Sequence, residues 1–326
     1  MKTGFLFIYL AGCILLAGCS KREIITIASP DHRLEVQFNV SSKDTRAQYC
    51  IYFEKRKIID TSLMGLALRG GSELGKDVTI SDVKHSSFSG SWKPVYGERN
   101  DYPDNYNQAV ITLTDRKTGN PSLIITFRCY NEGVAFRYSV PATDSLHTTI
   151  ISKELTSFSF TGPVDAWISH TAQGKIYKTT VDSIKGSCER PVLVESDTAT
   201  WLSLGEAATV NFARMKFIRS GEHNHTLTAS LDGEVEKRGA FSTPWRYIMV
   251  ADKPEKLLEH NYLVLNLNEP DQVENTSWIK PGKVLRELTL TTQGAIACID
   301  FAARHHLEYI LFDAGWYGAE NSDTSD

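Results

Sequence analysis

Short runs of alternating apolar and polar residues dominate the chain from Ile24 to about Leu267. A period of two is typical of strands that bury one face, and Gly, Pro, Asn, Asp and Ser separate the runs. Many closely spaced strands without a helical period predict antiparallel sheets packed face to face. The clearest predicted strands are Leu34–Val40, Tyr49–Phe53, Leu123–Arg128, Val134–Val140, Trp201–Leu204, Thr209–Phe217, Thr226–Leu231 and Trp245–Val250. The tight-turn signal Asn131-Glu132-Gly133 predicts a hairpin between the third and fourth of these strands.

The pattern changes after Val250, and a polar joint occupies residues 268–272. The predicted elements are a short helix over Pro254–Glu259, a strand over Ser277–Lys283, an amphipathic helix over Thr292–His305 and a strand over Leu307–Phe312. The last three have the order of a right-handed βαβ unit, which is the repeating unit of parallel α/β folds. We therefore expect the start of an α/β domain after the joint.

Composition excludes some classes of protein. Of the 326 residues, 41% are hydrophobic and 23% are charged, which is the balance of a globular protein. The formal net charge is −4, and no run of lysines and arginines is interleaved with aromatic residues. The electrostatic pattern of a nucleic-acid-binding protein is therefore missing.

The N-terminus predicts export. Lys2 precedes a nearly all-apolar stretch, Phe5–Leu16, and Leu16-Ala17-Gly18-Cys19 closes it with small residues. This tetrapeptide resembles the lipobox of bacterial lipoproteins, which implies removal of residues 1–18 and acylation of Cys19. We expect a chain that is exported and lipid-anchored, in the periplasm or outer membrane of a Gram-negative bacterium. An ordinary secretory signal is the alternative, and Leu10–Cys13 also fits the lipobox pattern.

Four cysteines remain after such processing: Cys50, Cys129, Cys188 and Cys298. Their spacing contains no Cys-x-x-Cys motif, so a structural zinc site is not predicted. We expect mostly buried free thiols.

Several motifs, in order, resemble glycoside hydrolase family 97. They are residues 92–98 (WKPVYGE), 130–138 (YNEGVAFRY), 243–252 (TPWRYIMVAD), 277–283 (SWIKPGK) and 307–317 (LEYILFDAGWY). The resemblance implies an α-glucosidase or α-galactosidase with an N-terminal β-super-sandwich, a catalytic (β/α)8 barrel and an active-site calcium ion. It predicts three parts: a signal peptide (1–18), the β-super-sandwich (19–270) and the start of the barrel (271–326), with only its first βαβ unit.

The resemblance also implies where the catalytic groups lie. A whole barrel needs about 250 residues, and in the family both catalytic carboxylates are on later barrel strands. We therefore expect no catalytic residue in this chain, and no glycosidase activity from it alone, although an oligosaccharide is the expected substrate of the enzyme. The rival hypothesis is a non-catalytic, carbohydrate-binding or structural β-sandwich lipoprotein.

The end of the last predicted strand supplies candidate substrate-binding residues, because barrel sites lie at the C-terminal ends of strands. Asp313 can accept sugar hydroxyls or orient a metal ligand, or it can cap the following turn. Trp316 can stack on the C–H face of a pyranose, or it can pack in the core. Trp278 has the same options, with a structural role favoured. Lys280 lies at the end of the predicted strand Ser277–Lys283, where it can bind a sugar hydroxyl or a carboxylate, or it is a solvated turn lysine.

Glu206, in Leu204-Gly205-Glu206-Ala207, resembles the glutamate that the family's N-terminal domain gives to calcium. One glutamate cannot hold calcium alone, since the ion takes several hard oxygen ligands. The alternative is an exposed glutamate at a strand end. Arg246 is interpreted as a buried structural partner.

No metal site is predicted at the histidines of the motifs 222–225 and 305–306. His223 and His225 share a face if they lie in a strand, but a polar hairpin is the favoured interpretation. His305 and His306 are expected at a helix C-terminus, where cations are stabilised.

Overall fold

The structure is a computed structural model that describes residues 23–142, 148–196 and 200–317. These residues are mainly β, and the large sheets are antiparallel, which confirms the predicted mainly β fold class; the start of a barrel stays a prediction. The described residues within 23–91 and 103–269 form one compact unit, and those within 92–102 and 270–317 form a second. No helix in the described residues is long and apolar enough to cross a membrane.

The largest sheet contains ten strands in the described part of the chain. Its strands, in spatial order, are β14 (Tyr177–Thr180), β13 (Asp165–Ile168), β16 (Val192–Glu195), β17 (Trp201–Ala207), β22 (Trp245–Ala251), β10 (Gly133–Val140), β9 (Pro121–Tyr130), β8 (Tyr102–Asp115) and β7 (Val78–Trp92), with β21 (Phe241–Ser242) also paired to β10. Strands β9 and β10 form the predicted hairpin, in which Val134 pairs with Cys129.

A second sheet has eight strands within the same described ranges. Its order is β1 (Ile25–Ala28), β2 (Leu34–Val40), β3 (Ala47–Phe53), β4 (Arg56–Leu63), β12 (Ser157–Ser159), β19 (Thr226–Leu231), β18 (Met215–Arg219) and β15 (Ser187–Cys188). A smaller sheet has the order β20 (Val235–Arg238), β11 (Thr148–Glu154), β5 (Leu66–Leu68) and β6 (Glu73–Leu74). A 3-10 turn covers Val181–Ser183.

The hydrophobic core lies between the two large sheets. The Tyr49 ring of the eight-stranded sheet lies 6.2 Å from the Phe127 ring and 5.2 Å from the Phe136 ring of the ten-stranded sheet. The buried Tyr49 hydroxyl donates to the backbone oxygen of Ser157 at 2.9 Å. Aromatic contacts across the interface and a satisfied hydroxyl are what face-to-face packing requires.

Two short helices cover part of the outer face of the ten-stranded sheet. Helix α1 spans Pro254–Glu259, as predicted, with proline at its first position, and α2 spans Tyr262–Asn266. Leu257 and Leu263 pack in a second buried cluster with Trp245 and Met249. The C-terminal part of the first unit is therefore an extension of the sandwich.

The second unit contains a βαβ unit, with the predicted helix and last strand but a different first strand. Strand β23 (Val284–Glu287) is parallel to β24 (Tyr309–Phe312), and α3 (Thr292–His305) connects them. The Thr291 hydroxyl caps α3 by accepting from the Gly294 amide at 3.0 Å. The chain ends α3 with His306 in the left-handed conformation, so both histidines lie at the helix C-terminus as expected.

One predicted strand is wrong, and another is confirmed only in part. Ser277–Lys283 is not a strand, because the Ser277 amide donates to Asn275 Oδ1, the Ile279 amide donates to the Thr276 oxygen, and Pro281 has no amide hydrogen. The first strand of the unit is Val284–Glu287 instead.

Thr209–Phe217 is a strand only from Met215 onward. Left-handed backbone at Ala208 (φ +55°) and Asn211 (φ +48°) interrupts the extended conformation that the apolar residues of this segment suggested.

Candidate active site

The C-terminal edge of the β23–β24 pair is the candidate active-site edge. The register pairs Val284 with Tyr309 and Glu287 with Phe312, so the two strands begin and end together. Asp313 follows β24 directly, and Glu287 is the last residue of β23. In parallel α/β folds, sites form at this end of the strands. The structure thus places Asp313 where the sequence predicted it.

Among the described residues, Asp313 has two partners at this edge. Its Oδ2 lies 2.7 Å from Arg286 Nη2, and its Oδ1 accepts from the Ala314 amide at 2.8 Å. Asp313 therefore caps the following turn, as one interpretation held, and is also paired with a cation. Both side chains are about half exposed, so the pair presents donors and acceptors to solvent.

Glu287 holds the loop between β23 and α3. Its side chain is buried, and its oxygens accept from the Thr289 amide at 2.7 Å, the Thr289 hydroxyl at 2.5 Å and the Leu290 amide at 2.5 Å. The hydroxyl of Thr289, together with these amides, lowers the pKa of Glu287. Its carboxylate is thus engaged in shaping the loop.

Trp316 is exposed, with 61% of its surface open to solvent. Its ring meets the Tyr317 ring edge to face at 5.6 Å. Gly315, at φ +98°, provides the left-handed turn that brings these aromatic residues after Asp313. The indole is therefore not packed in a core in this structure, and stacking on a sugar stays a prediction.

Lys280 and Trp278 lie at the opposite edge. Both precede Val284, the first residue of β23, and Trp278 is 71% exposed in a turn. The Lys280 oxygen accepts from the Tyr309 hydroxyl at the start of β24. The structure therefore does not bring these two residues together with Asp313 and Trp316, and a role for them in binding sugar stays untested.

Glu206 is a buried member of a charge cluster in the sandwich. It lies on β17 with Oε2 2.8 Å from Arg246 Nη1 and Oε1 2.6 Å from Arg190 Nε, and Oε1 also accepts from the Met215 amide at 3.0 Å. The interpretation of an exposed strand-end glutamate is wrong, since only 9% of the residue is exposed.

Arg246 connects Glu206 to a second buried carboxylate. The fully buried guanidinium donates to Glu154 from Nε at 2.9 Å and from Nη2 at 2.5 Å, in a bidentate pair. Burial disfavours the cation, but the charges of Glu154 and Glu206 outweigh burial and keep the pKa of Arg246 above its ordinary value. Arg246 is thus the buried structural partner that its motif suggested.

The cluster continues to the surface. Arg190 Nη1 donates to Glu189 Oε2 at 3.0 Å, and Glu189 Oε1 lies 3.1 Å from Arg214 Nη2, which also pairs through Nε with Asp232. The chain of charges links the ten-stranded sheet to β11 through Glu154, and to the residues that directly adjoin β15, β18 and β19. Sequence reasoning did not anticipate Glu154 or Arg190 in this role.

These residues do not by themselves form a calcium site. Both Glu206 oxygens already accept from donors, two of which are cations, whereas calcium takes six to eight oxygen ligands. No group of three metal-binding side chains occurs among the described residues. A calcium role for Glu206 would need further oxygen ligands and displacement of Arg190.

The remaining candidates have structural surroundings. His225 lies in the turn between β18 and β19, with Nδ1 2.5 Å from Asp182 Oδ2, which agrees with a polar hairpin. Cys50, Cys129 and Cys188 are buried free thiols and Cys298 is a partly exposed one. Cys19 lies outside the described residues, so its lipidation stays a prediction.

Comparison with known proteins identifies relatives of the whole chain. The glycosyl-hydrolase 97 N-terminal family matches residues 27–270. A retaining alpha-galactosidase of Bacteroides thetaiotaomicron is 22% identical over 94% of this chain and 53% of its own length. A probable retaining alpha-galactosidase of Streptomyces bingchenggensis is 20% identical over 90% of this chain and 47% of its own length. The chain thus spans about half the length of these curated relatives.

A solved structure agrees with these relatives. A glycoside hydrolase family 97 enzyme from Pseudoalteromonas sp. strain K8, in complex with panose, superposes with a TM-score of 0.81 and 26% identity, over 90% of this chain and 49% of that one. The family match covers three quarters of the present sequence, and the sandwich described above has the fold of the aligned part of that enzyme. The chain belongs to glycoside hydrolase family 97.

Proposed function

We propose that this chain is part of a glycosidase that cleaves α-glycosidic bonds of oligosaccharides, with α-galactosides as the first substrate class to test and α-glucosides as the second. The family match over residues 27–270 carries the proposal. The two curated relatives are named as retaining or probable retaining alpha-galactosidases, and the solved relative binds panose, an α-glucoside.

Within the proposal, the candidate active-site edge positions substrate. Asp313, held by Arg286, accepts sugar hydroxyls, and the exposed Trp316 indole covers one face of a pyranose. Glu287 keeps the neighbouring loop in place.

Neither carboxylate at this edge is assigned an acid or nucleophile role. A glycosidase generally needs one carboxyl group to protonate the leaving oxygen and another to attack or to activate water. The resemblance to the family implies that both catalytic carboxylates lie on later barrel strands. We therefore propose that the catalytic pair comes from other residues of the enzyme and that these 326 residues alone have no turnover.

Calcium, export and lipid anchoring are further parts of the proposal. Calcium follows from the family resemblance, and no catalytic step is assigned to it through the residues described above. Export and anchoring follow from residues 1–19, with Cys19 as the acylated residue.

The test is to express the complete reading frame that encodes this chain and to assay nitrophenyl α-galactoside and α-glucoside. Release of nitrophenol from at least one of them is expected, and the purified 326-residue chain should release none. A complete product that hydrolyses neither would contradict the glycosidase proposal and favour a non-catalytic carbohydrate-binding lipoprotein. Turnover by the 326 residues alone would contradict the assignment of the catalytic pair.

A further inference from the structure

One edge of the ten-stranded sheet carries a polar cavity on its outer face. The register pairs Asp165 on β13 with Thr180 on β14 and with Glu195 on β16. Lys178 and Trp167, two residues away along their strands, share this face. The cavity has a volume of about 470 Å³ and is lined by Pro163, Val164, Asp165, Lys178, Thr180, Glu195 and Ser196. We refer to it as the sheet-edge cavity.

Three charged side chains of the described residues meet in the sheet-edge cavity. Lys178 Nζ lies 2.9 Å from Asp165 Oδ2 and 3.3 Å from Glu195 Oε2. The two carboxylates are directly opposite on neighbouring strands, an arrangement that is destabilising unless a cation lies between them. Among the described residues, no hydrogen bond engages Asp165 Oδ1 or Glu195 Oε1. Each carboxylate therefore keeps one oxygen with which to accept from a ligand.

Charge and polarity restrict the class of ligand. Two carboxylates and one ammonium leave one net negative charge, which disfavours an anion. The Lys178 ammonium already lies between the carboxylates, where a divalent cation would bind, and it would repel one. The charged and hydroxyl groups of the lining disfavour an aliphatic ligand. A neutral ligand with several hydroxyl groups fits all three conditions.

Aromatic packing holds the lysine in position. Lys178 Nζ lies 4.6 Å from the centroid of the Trp167 ring, a cation–π contact, and the Trp167 ring lies 5.2 Å from that of Trp201. The ammonium is thus fixed by two carboxylates and an indole, so little side-chain entropy is left to lose on binding. Pro163 offers an apolar surface beside these polar groups.

We propose that the sheet-edge cavity binds a neutral oligosaccharide, with Asp165 and Glu195 accepting from sugar hydroxyls and Lys178 donating to a sugar oxygen. Preorganised donors and acceptors beside an apolar surface are what recognition of a sugar requires. This inference rests on the proposed function only in the choice of panose as the probe.

The test is a titration of the isotope-labelled 326-residue chain with panose, followed by backbone amide NMR shifts. Saturable shifts are expected at residues 163–167, 178–180 and 195–196. Asp165→Asn and Lys178→Gln should each weaken binding about tenfold, because each removes a charge-assisted hydrogen bond to the sugar. Their side chains are 41% and 48% exposed, so both variants should fold, and circular dichroism checks this.

Lys57→Gln is the matched control. Lys57 pairs with Asp60 at 2.9 Å and lies 5.8 Å from the Tyr52 ring centroid, so it repeats the chemistry of Lys178 away from the cavity. Its replacement should leave the affinity unchanged. The absence of saturable shifts around the cavity would overturn the proposal, as would unchanged affinity in both cavity variants. Shifts confined to residues 313–317 would overturn it while supporting the proposed function.

Discussion

Arg246→Met is expected to lower the free energy of unfolding of the sandwich by about 3–5 kcal/mol, the usual cost of breaking a buried ion pair from one side. The guanidinium is fully buried and donates three hydrogen bonds, two to Glu154 and one to Glu206. Methionine fills much of the same space but donates none of them. The cost arises because negative charge stays buried after its cation is gone.

The structure indicates which carboxylate bears this cost. Without Arg246, Glu206 still pairs with Arg190 and accepts from the Met215 amide. Among the hydrogen bonds of the described residues, Glu154 keeps the one from the Thr156 hydroxyl, at 2.8 Å. The double variant Arg246→Met with Glu154→Gln should therefore recover more than half of the lost stability, since it removes the uncompensated charge.

Urea unfolding followed by far-ultraviolet circular dichroism measures both effects. With a denaturant slope of about 3 kcal/mol per molar, a loss of about 3–5 kcal/mol lowers the midpoint by roughly 1–2 M. Arg33→Met is the matched control: Arg33 pairs with Glu54 at 2.8 Å, but both side chains are nearly half exposed, and such pairs contribute about 0–1 kcal/mol. If Arg246→Met costs no more than Arg33→Met, or if Glu154→Gln recovers nothing, the reasoning fails.

Three further predictions address the loop, the sheet and the metal. The pKa of Glu287 is lowered, so above pH 4.5, the ordinary pKa of a glutamate, its ionised carboxylate should protect the Leu290 amide from hydrogen exchange, and this protection should be lost as the pH falls through the lowered pKa. Protection that does not change with pH would contradict this prediction, and the Glu287→Gln variant should lack the protection at every pH. Gly205→Ala should cost about 1–3 kcal/mol in thermal unfolding, because its Cβ would lie 2.4 Å from the Tyr247 hydroxyl oxygen, whereas Gly162→Ala, with open space around it, should be neutral. Calcium should not raise the melting temperature of the 326-residue chain, and Glu206→Gln should lower it equally with and without calcium; a calcium-dependent rise that Glu206→Gln abolishes would show that Glu206 binds the ion.

The alternation of apolar and polar residues along β17 and β22 already indicates that two members of the buried charge cluster face inward. On β17, Leu202 and Leu204 face the core, and Glu206 continues the same face. On β22, Ile248 and Val250 continue the face of Arg246. A charge at an inward position needs a buried partner, and β17 and β22 are neighbours that pair Glu206 with Arg246. The period alone could thus have predicted that both side chains face inward and need buried partners, whereas their pairing depends on the strand order seen in the structure.

The other members of the cluster could not be predicted in this way. Glu154 belongs to the smaller sheet, and a register shift between Ile151 and Lys153 precedes it, so its direction does not follow from a simple period of two. Arg190 lies in no strand. Both reach Glu206 or Arg246 through tertiary packing, which a local pattern does not encode.

The boundary of a single strand decides which residues can meet a sugar. The sequence placed the first barrel strand at Ser277–Lys283, because Trp278 and Ile279 are apolar and Pro281-Gly282 resembles a terminating turn. In the structure that turn comes before the strand, and the parallel register aligns Val284 with Tyr309. Lys280 is thereby moved to the N-terminal edge.

The same change of boundary puts most of the segment Val284–Leu288 in a strand. In this structure the segment contains the first strand of the unit. Arg286, near the end of that strand, pairs with Asp313 across the edge where barrel sites form. Arg286 lies at the C-terminal edge and can therefore orient Asp313, and its guanidinium binds a carboxylate directionally. Lys280 lies at the N-terminal edge and is not positioned to do so.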